Sequence, residues 1–142
     1  MALTTVGGCA LFFTSDPWMF SEDAERFSMP GMLARFYQAT TGLDMSEEDV
    51  LRAGERIVNI ERAYNVREGL TRRDDNLPDR MLKEPMPDGF AKGQVVDLES
   101  MLDEYYGFRG WDKDSGLPTK KLLELGLDDI ADELEGMGKL AP

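Results

Sequence analysis

The sequence predicts a mostly α-helical, irregular domain with long connections rich in proline and glycine. Apolar residues recur every three or four positions between Ser46 and Glu68, which is the period of a helix with one buried face. All 7 prolines and 13 of the 14 glycines lie outside this segment and interrupt most of the remaining chain. No segment alternates apolar and polar residues convincingly, although Gln94–Val96 could pair briefly. At 142 residues, one domain with its own core is expected over 1–142.

Two main helices are expected within 29–69. The first runs from about Pro30, with Ser28 as a possible cap, and ends at Gly42. Its apolar side is predicted to comprise Met32, Leu33, Phe36, Tyr37 and Ala39. The second runs from a cap at Ser46 to about Glu68 and has three acids in its first turn. Its predicted apolar stripe is Val50, Ala53, Ile57, Ile60 and Tyr64, widened by Leu51 and Val58.

Residues 70–142 are expected to form loops and short helices. A helical turn is predicted over 79–83 and a turn at 87–89, between prolines that break regular structure. Asp97 is expected to cap a helix that ends by Gly107 or Gly110 and carries Leu98, Met101, Leu102, Tyr105 and Tyr106. Two more short helices are expected, one from Thr119 with Leu122, Leu123 and Leu125, stopped by Gly126, and one from Asp128 with Ile130, Ala131 and Leu134.

Composition excludes several classes of function. A net charge of −12 argues against nucleic acid and against an anionic membrane surface, because phosphate neutralisation needs a clustered positive face. One cysteine excludes an intramolecular disulfide, and the lack of histidine removes the commonest general base and metal ligand. No apolar run approaches the roughly 20 residues of a membrane helix. The apolar start has no basic n-region, so a cytoplasmic location is expected.

The first 28 residues carry much large apolar surface without a helical period to place it. Such surface is typical of an interface, and we expect this segment to face a cofactor or a partner. Cys9 follows two glycines that would let the backbone approach a ligand closely. One thiolate cannot hold an iron–sulfur cluster, although it could be the fourth ligand beside three from elsewhere. Spacing alone favours a small buried hydrophobe at Cys9.

The stretch Gly54–Gly69 is dense in polar groups at helical spacing. Glu61, Asn65 and Glu68 share a ridge, with Arg62 close to possible partners. Two interpretations stay open, a buried set whose members satisfy one another and a solvated charged face. The acids of 71–80 lack the spacing of a cation loop, so metal binding there is disfavoured. Trp111 is interpreted as a packing anchor.

Six motifs follow one another along the chain: Gly54–Gly69, Thr71–Pro78 (TRRDDNLP), Glu84–Gly89 (EPMPDG), Leu102–Tyr106 (LDEYY), Arg109–Asp112 (RGWD) and Gly116–Thr119 (GLPT). Together they resemble the C-terminal domain of the aldehyde ferredoxin oxidoreductase family, and the resemblance covers nearly the whole chain in the family's order. Members of that family carry tungsten or molybdenum on a bis-pterin cofactor beside one cubane cluster.

The resemblance implies roles for four residues near the start of the chain. The family's segment reads Asp-x-x-Gly-x-Cys, and its cysteine is the fourth ligand of a 4Fe-4S cluster. Cys9 matches that ligand, Gly7 the internal glycine, and Gly8 a position that contacts the pterin. The acid that also contacts the pterin falls on Thr4, where this sequence departs from the pattern.

The resemblance also implies the function. The complete enzymes oxidise an aldehyde to the carboxylic acid and pass electrons through the cluster to ferredoxin. This chain corresponds to the last quarter or so of such an enzyme, without its other cysteines, so no catalytic residue and no activity are expected from it alone. It is interpreted as a fragment or split subunit that pairs with the remainder of the oxidoreductase. The alternative is a stand-alone helical binding or regulatory module descended from that domain.

Overall fold

The computed structural model describes residues 29–118 and 121–141, and helices dominate them. They are α1 (Met29–Thr41), α2 (Glu47–Arg67), α3 (Asp79–Lys83), α4 (Leu98–Arg109), α5 (Lys121–Glu124) and α6 (Asp128–Gly136), with a 3-10 turn at Arg72–Asp74. The described residues contain no named strand, and only Trp111 and Pro118 form an isolated antiparallel bridge. The predicted mostly α fold is confirmed.

These residues fall into two compact units, one that ends at Ile60 and one that begins at Glu61. The expectation of a single helical domain over 1–142 therefore stays a prediction. Within the described ranges, no helix combines the length and the apolar character needed to cross a bilayer.

The first unit has a small core of Leu33, Ala34 and Val50, with Met45 against it. The start of α2 is fixed by a reciprocal cap between two side chains. Asp49 N–H donates to Ser46 Oγ at 3.1 Å, and Ser46 N–H donates to Asp49 Oδ2 at 2.9 Å. The Ser46 hydroxyl also donates to Asp49 Oδ2 at 2.6 Å, and this hydrogen bond, followed by the one from the Ser46 N–H, lowers the pKa of Asp49. The predicted cap at Ser46 is confirmed.

The apolar stripe predicted for α2 is partly wrong. Val50 is buried, whereas Leu51, Ile60 and Tyr64 are exposed. The residues buried further along the helix are two polar ones, Asn59 and Arg62, and two apolar ones, Ala63 and Val66. The buried face of α2 therefore differs from its most apolar face. The reason is that the buried face includes polar side chains that form hydrogen bonds inside the protein. On α1, Leu33 is buried as predicted, but Phe36 and Ala39 are exposed.

The second unit has the larger core. It joins the end of α2 to α5, α6 and the segment between them, and its buried members are Ala63, Val66, Leu122, Leu125, Leu127, Ala131 and Leu134. Ala131 and Leu134 are buried as predicted, whereas Leu123 is exposed. Lys139 Nζ donates to the carbonyls of Val66 at 3.0 Å and Arg67 at 2.9 Å, so an ammonium group satisfies the free end of α2.

Helix α4 begins and ends as the sequence predicts. Asp97 caps it by accepting the Ser100 N–H, and Gly110 ends it in the left-handed conformation at φ 66°. Tyr106 is its buried residue. Sequence reasoning missed the 3-10 turn before α3, where Thr71 and Asp74 form a capping box with both reciprocal bonds. The predicted helical turn at 79–83 is confirmed.

Candidate functional site

Arg62 occupies the centre of a buried polar cluster in the second unit. Its side chain is only 5% exposed, and it meets acceptors from three separate segments. Nε donates to the carbonyl of Gly116 at 2.9 Å, and Nη1 lies 3.0 and 2.8 Å from the two carboxylate oxygens of Asp75. Nη2 lies 3.4 Å from the hydroxyl of Tyr106. A guanidinium can hold three segments at once because its donors point in fixed directions.

Aromatic rings surround the guanidinium. Arg62 Cζ lies 4.9 Å from the centroid of the Trp111 ring and 5.5 Å from that of Tyr106. Both distances are those of a cation–π contact. The Trp111 ring also meets Tyr106 at 5.7 Å and Tyr105 at 5.6 Å, both edge to face. Trp111 is 8% exposed, so its predicted role as a packing anchor is confirmed.

The hydroxyl of Tyr106 completes the cluster by donating to Asp75 Oδ2. Burial is the main reason that the pKa of Tyr106 rises to about 12, and the hydrogen bond to Asp75 adds to the rise. The nearby Arg62 charge acts in the opposite direction. The phenol is therefore a proton donor that stays neutral at physiological pH.

The loop between Trp111 and Pro118 brings the Gly116 carbonyl to Arg62. Asp112 Oδ1 accepts the Ser115 N–H at 2.7 Å, and the Gly116 N–H donates to the Asp112 carbonyl at 2.8 Å. The hydrogen bond from the Ser115 hydroxyl, followed by that from its N–H, lowers the pKa of Asp112. Gly116 itself has φ 71°, a conformation that side-chain-bearing residues rarely adopt.

A second arginine, Arg72, links the 3-10 turn to α4. Its Nη2 lies 2.7 Å from Glu99 Oε2 and 2.8 Å from Asp103 Oδ1, and its Nη1 donates to the Lys113 carbonyl at 2.7 Å. The pKa of Arg72 is raised, mainly by the hydrogen bond to Glu99. Its Cζ also lies 5.2 Å from the centroid of the Tyr106 ring. Both arginines thus tie loops to α4.

This arrangement joins segments of the second unit, and its polar groups are taken up by one another. The Arg62 guanidinium is occupied by acceptors, and the Tyr106 proton is committed to Asp75. A general base works best with a pKa near neutral, far from that of Tyr106. The prediction that this chain supplies no catalytic residue stays a prediction, since residues 1–28 are outside the described part.

For Gly54–Gly69, the sequence left open a buried polar set and a solvated charged face, and the structure contains both. Arg62 belongs to a buried set whose members satisfy one another, whereas Glu61, Asn65 and Glu68 are exposed. Sequence reasoning missed Asn59, which is 1% exposed and donates from Nδ2 to the Glu55 carbonyl at 3.0 Å. A polar residue on the buried face of an amphipathic helix gives no periodic signal.

The acids of 71–80 are engaged within the protein. Asp74 caps the turn at Thr71, Asp75 pairs with Arg62, and Asp79 pairs with Lys83 at 2.7 Å. The backbone hydrogen bond from Thr71 is the first cause of the lowered pKa of Asp74. Within 29–118 and 121–141, no group of three or more His, Cys, Asp or Glu side chains could hold a metal ion.

The residues predicted to bind cofactors are Thr4, Gly8 and Cys9, and Gly7 matches the internal glycine of the same motif. All of them lie outside the described residues, as does the apolar segment 1–28. Their roles therefore stay predictions. Thr119, predicted to begin the helix now seen at Lys121–Glu124, also lies outside the described residues.

Residues 2–127 match a family model described as "Aldehyde ferredoxin oxidoreductase, domains 2 & 3". The chain is 51% identical over 93 residues to the tungsten-containing aldehyde ferredoxin oxidoreductase of Pyrococcus abyssi, and 51% identical over 93 residues to that of Pyrococcus furiosus. Each match covers 65% of this chain and 15% of the relative. The chain thus spans a small part of the length of these relatives.

A solved structure gives a more distant likeness. It is the active site complex BamBC of benzoyl coenzyme A reductase in complex with 1,5-dienoyl-CoA, with a TM-score of 0.65 and 28% identity. The match covers 81% of this chain and 16% of that one. The helical arrangement of this chain is therefore similar to part of a protein complex whose name includes benzoyl coenzyme A.

Proposed function

The chain belongs to the aldehyde ferredoxin oxidoreductase family, and on that premise we propose that it is the C-terminal part of a tungsten- or molybdenum-pterin enzyme that oxidises aldehydes to carboxylic acids. The observation that carries the proposal is the 51% identity to tungsten-containing aldehyde ferredoxin oxidoreductases over 65% of the chain. Identity to the benzoyl coenzyme A reductase complex is 28%, which favours an aldehyde as the substrate class. Within the complete enzyme, electrons would leave to ferredoxin in the cytoplasm.

The donor chemistry of the chain fits a cluster that is shared with the rest of the enzyme. A cubane cluster is held by four thiolates. This chain has one cysteine, Cys9, and no histidine, so it can provide one ligand and the other three must come from outside it. Bound in this way, the cluster would pass on electrons one at a time, while the metal–pterin supplies the redox chemistry at the aldehyde.

Residues 4–9 would contact both the cluster and the metal–pterin. Cys9 would hold one iron through its thiolate. Gly7 and Gly8 lack side chains, so their backbone could approach the cluster and the pterin closely and offer N–H groups to them. Thr4 stands where the family carries an acid, and its hydroxyl would replace a charged contact to the pterin with a neutral one.

The second unit would act as a rigid support within the complete enzyme. Its own core and the cluster around Arg62 hold the end of α2, α4 and the loop 111–118 in one arrangement. Such a unit can form part of the enzyme's wall around cofactor and substrate without donating or accepting a proton in the reaction. No aldehyde oxidation is expected from the 142-residue chain alone.

A chimera of the Pyrococcus furiosus enzyme tests the proposal. Residues 2–127 of this chain replace the matching segment, and tungsten, iron and the electron paramagnetic resonance signal of the reduced cluster are measured beside aldehyde oxidation. The chimera should retain the tungsten, the iron, the cluster signal and the aldehyde oxidation of the parent enzyme. Cys9→Ser should lose the cluster signal and iron, whereas the matched control Ser15→Ala should lose neither. A Cys9→Ser chimera with an intact cluster would contradict the role of Cys9.

The alternative of a stand-alone module has one observation in its favour. The second unit closes its buried polar cluster with its own residues, so part of the chain has the features of a self-sufficient fold. The reading frame upstream of the gene distinguishes the two. A frame that encodes three closely spaced cysteines supports the oxidoreductase, and an unrelated frame supports the module.

A further inference from the structure

Helix α4 carries a row of large apolar side chains on its exposed face. Met101, Tyr105 and Phe108 are 59%, 41% and 72% exposed, respectively. They stand at positions i, i+4 and i+7, so they line one face of the helix. The opposite side carries Tyr106, which is 1% exposed in the cluster around Arg62. We name Met101, Tyr105 and Phe108 the α4 face.

The α4 face is anchored to the buried cluster. Arg109 Cζ lies 5.2 Å from the Tyr105 ring centroid and 5.5 Å from that of Phe108. The Tyr105 ring in turn meets Trp111 edge to face at 5.6 Å, and Trp111 packs beneath Arg62. The exposed rings are therefore held in place before any partner arrives, which reduces the entropy lost on binding.

The composition of this face is that of the centre of an interface. Tyr, Phe, Met and Arg are enriched where protein surfaces meet, and Tyr and Arg are frequent among the residues that contribute most to binding. Glu104 lies on the same face, three residues after Met101 and four before Phe108, and is exposed. A partner that covers the face should therefore offer an apolar surface with a basic side chain opposite Glu104.

We propose that the α4 face docks onto the part of the complete oxidoreductase that lies outside this chain. The inference rests on the proposed function, and it names the surface through which the chain would join the enzyme. The matched segments make up 15% of the length of the relatives, so most of such an enzyme is available to cover the face. Two copies of a chain with a net charge of −12 would repel each other, which disfavours a second copy as the occupant of the face.

Side-chain footprinting with hydroxyl radicals tests the docking. The isolated 142-residue chain and the full-length chimera are labelled in parallel, and oxidation is measured at Met101 and Phe108. Both should be oxidised about tenfold more slowly in the chimera, because the centre of an interface excludes water. Met137, which is 47% exposed on another helix end, is the internal reference and should change less than about twofold.

Two variants make the test specific. Phe108→Glu should return Met101 in the chimera to the oxidation rate of the isolated chain, since it places a charge inside the interface. Phe90→Glu is the matched control, because Phe90 is fully exposed on a loop, and it should leave Met101 protected.

The outcomes separate the docking from the proposed function. Unchanged oxidation of Met101 in a folded, tungsten-containing chimera overturns the docking and leaves the proposed function intact. Protection that grows with the concentration of the isolated chain means that a second copy covers the face, which also overturns the docking. A chimera recovered only as aggregate, beside a folded parent enzyme, overturns the proposed function and the docking with it.

Discussion

Gly116 lies so close to Arg62 that a Cβ atom at Gly116 would be 2.3 Å from Arg62 Nη2. The same atom would be 3.1 Å from the Tyr106 hydroxyl and 3.2 Å from the backbone nitrogen of Arg72. The Gly116 carbonyl accepts from Arg62 Nε at 2.9 Å. Gly116 therefore contributes to the buried cluster twice, by its carbonyl oxygen and by the space that its missing side chain leaves.

Gly116→Ala should lower the free energy of unfolding by about 3 kcal/mol, which combines the left-handed backbone with the overpacking against Arg62. Urea denaturation of the 142-residue chain measures the change. Gly138→Ala is the matched control, since Gly138 also has a positive φ, of 66°, but nothing lies within 4 Å of its Cβ position. It should cost only about 1 kcal/mol. Equal losses in the two variants would contradict the steric role of Gly116.

The ends of the longer helices could be predicted from the sequence because their causes are local. The cap at Ser46, the cap at Asp97 and the stop at Gly110 each involve residues within one turn of the helix end. The capping box of Thr71 and Asp74 has an equally local pattern, yet sequence reasoning missed it, since the turn that follows has only 3 residues and no apolar period.

The buried face of α2 could be predicted only in part. Apolar periodicity placed Ile60 and Tyr64 in the core, whereas the structure buries Asn59 and Arg62 and exposes the former pair. Periodicity assumes that buried positions are apolar, and this fails where a polar side chain has partners inside the protein.

The partners of Arg62 could not be predicted for a different reason. Asp75, Tyr106 and Gly116 lie 13, 44 and 54 residues away in sequence. Only the tertiary fold brings them together. The family resemblance did include all of these residues in its motifs, and it assigned none of them a partner. The prediction for Cys9 came from that resemblance, and Cys9 lies outside the described residues.

Arg62→Met should lower the free energy of unfolding by about 3 kcal/mol, because it leaves Asp75 and the Gly116 carbonyl without their buried cation. Arg67→Met is the matched control on the same helix. Arg67 is 39% exposed and lies 3.6 Å from Glu133, an exposed pair that contributes about 0.5 kcal/mol. Chemical denaturation of both variants measures the difference. If Arg62→Met lowers the free energy of unfolding as little as Arg67→Met does, the cluster around Arg62 is not a main source of the stability of the second unit.

Lys139→Met should lower the free energy of unfolding by about 1 kcal/mol, since it keeps an apolar stem but removes the ammonium group that satisfies the last carbonyls of α2. The matched control is Lys92→Met, at an exposed turn position, and it should change stability by less than about 0.5 kcal/mol. Amide hydrogen exchange at Val66 and Arg67 provides a local readout. If exchange there is as slow as in the parent chain, Lys139 does not cap the helix.

The stability of the chain should fall as the pH rises from about 10 to about 12. Tyr106 has a pKa of about 12 in the folded protein against 10.0 in the unfolded chain, so the unfolded state loses its proton first. The contribution, about 1–2 kcal/mol after solvent screening, is fully present below pH 10. Urea denaturation at a series of alkaline pH values, followed beside tyrosinate absorbance, measures it.

Tyr106→Phe should be less stable at neutral pH, because the bond to Asp75 is gone, and should lose the added slope above pH 10. Tyr64→Phe, at a residue that is 56% exposed, should keep that slope. The same alkaline slope in both variants would show that another group, and not Tyr106, causes it.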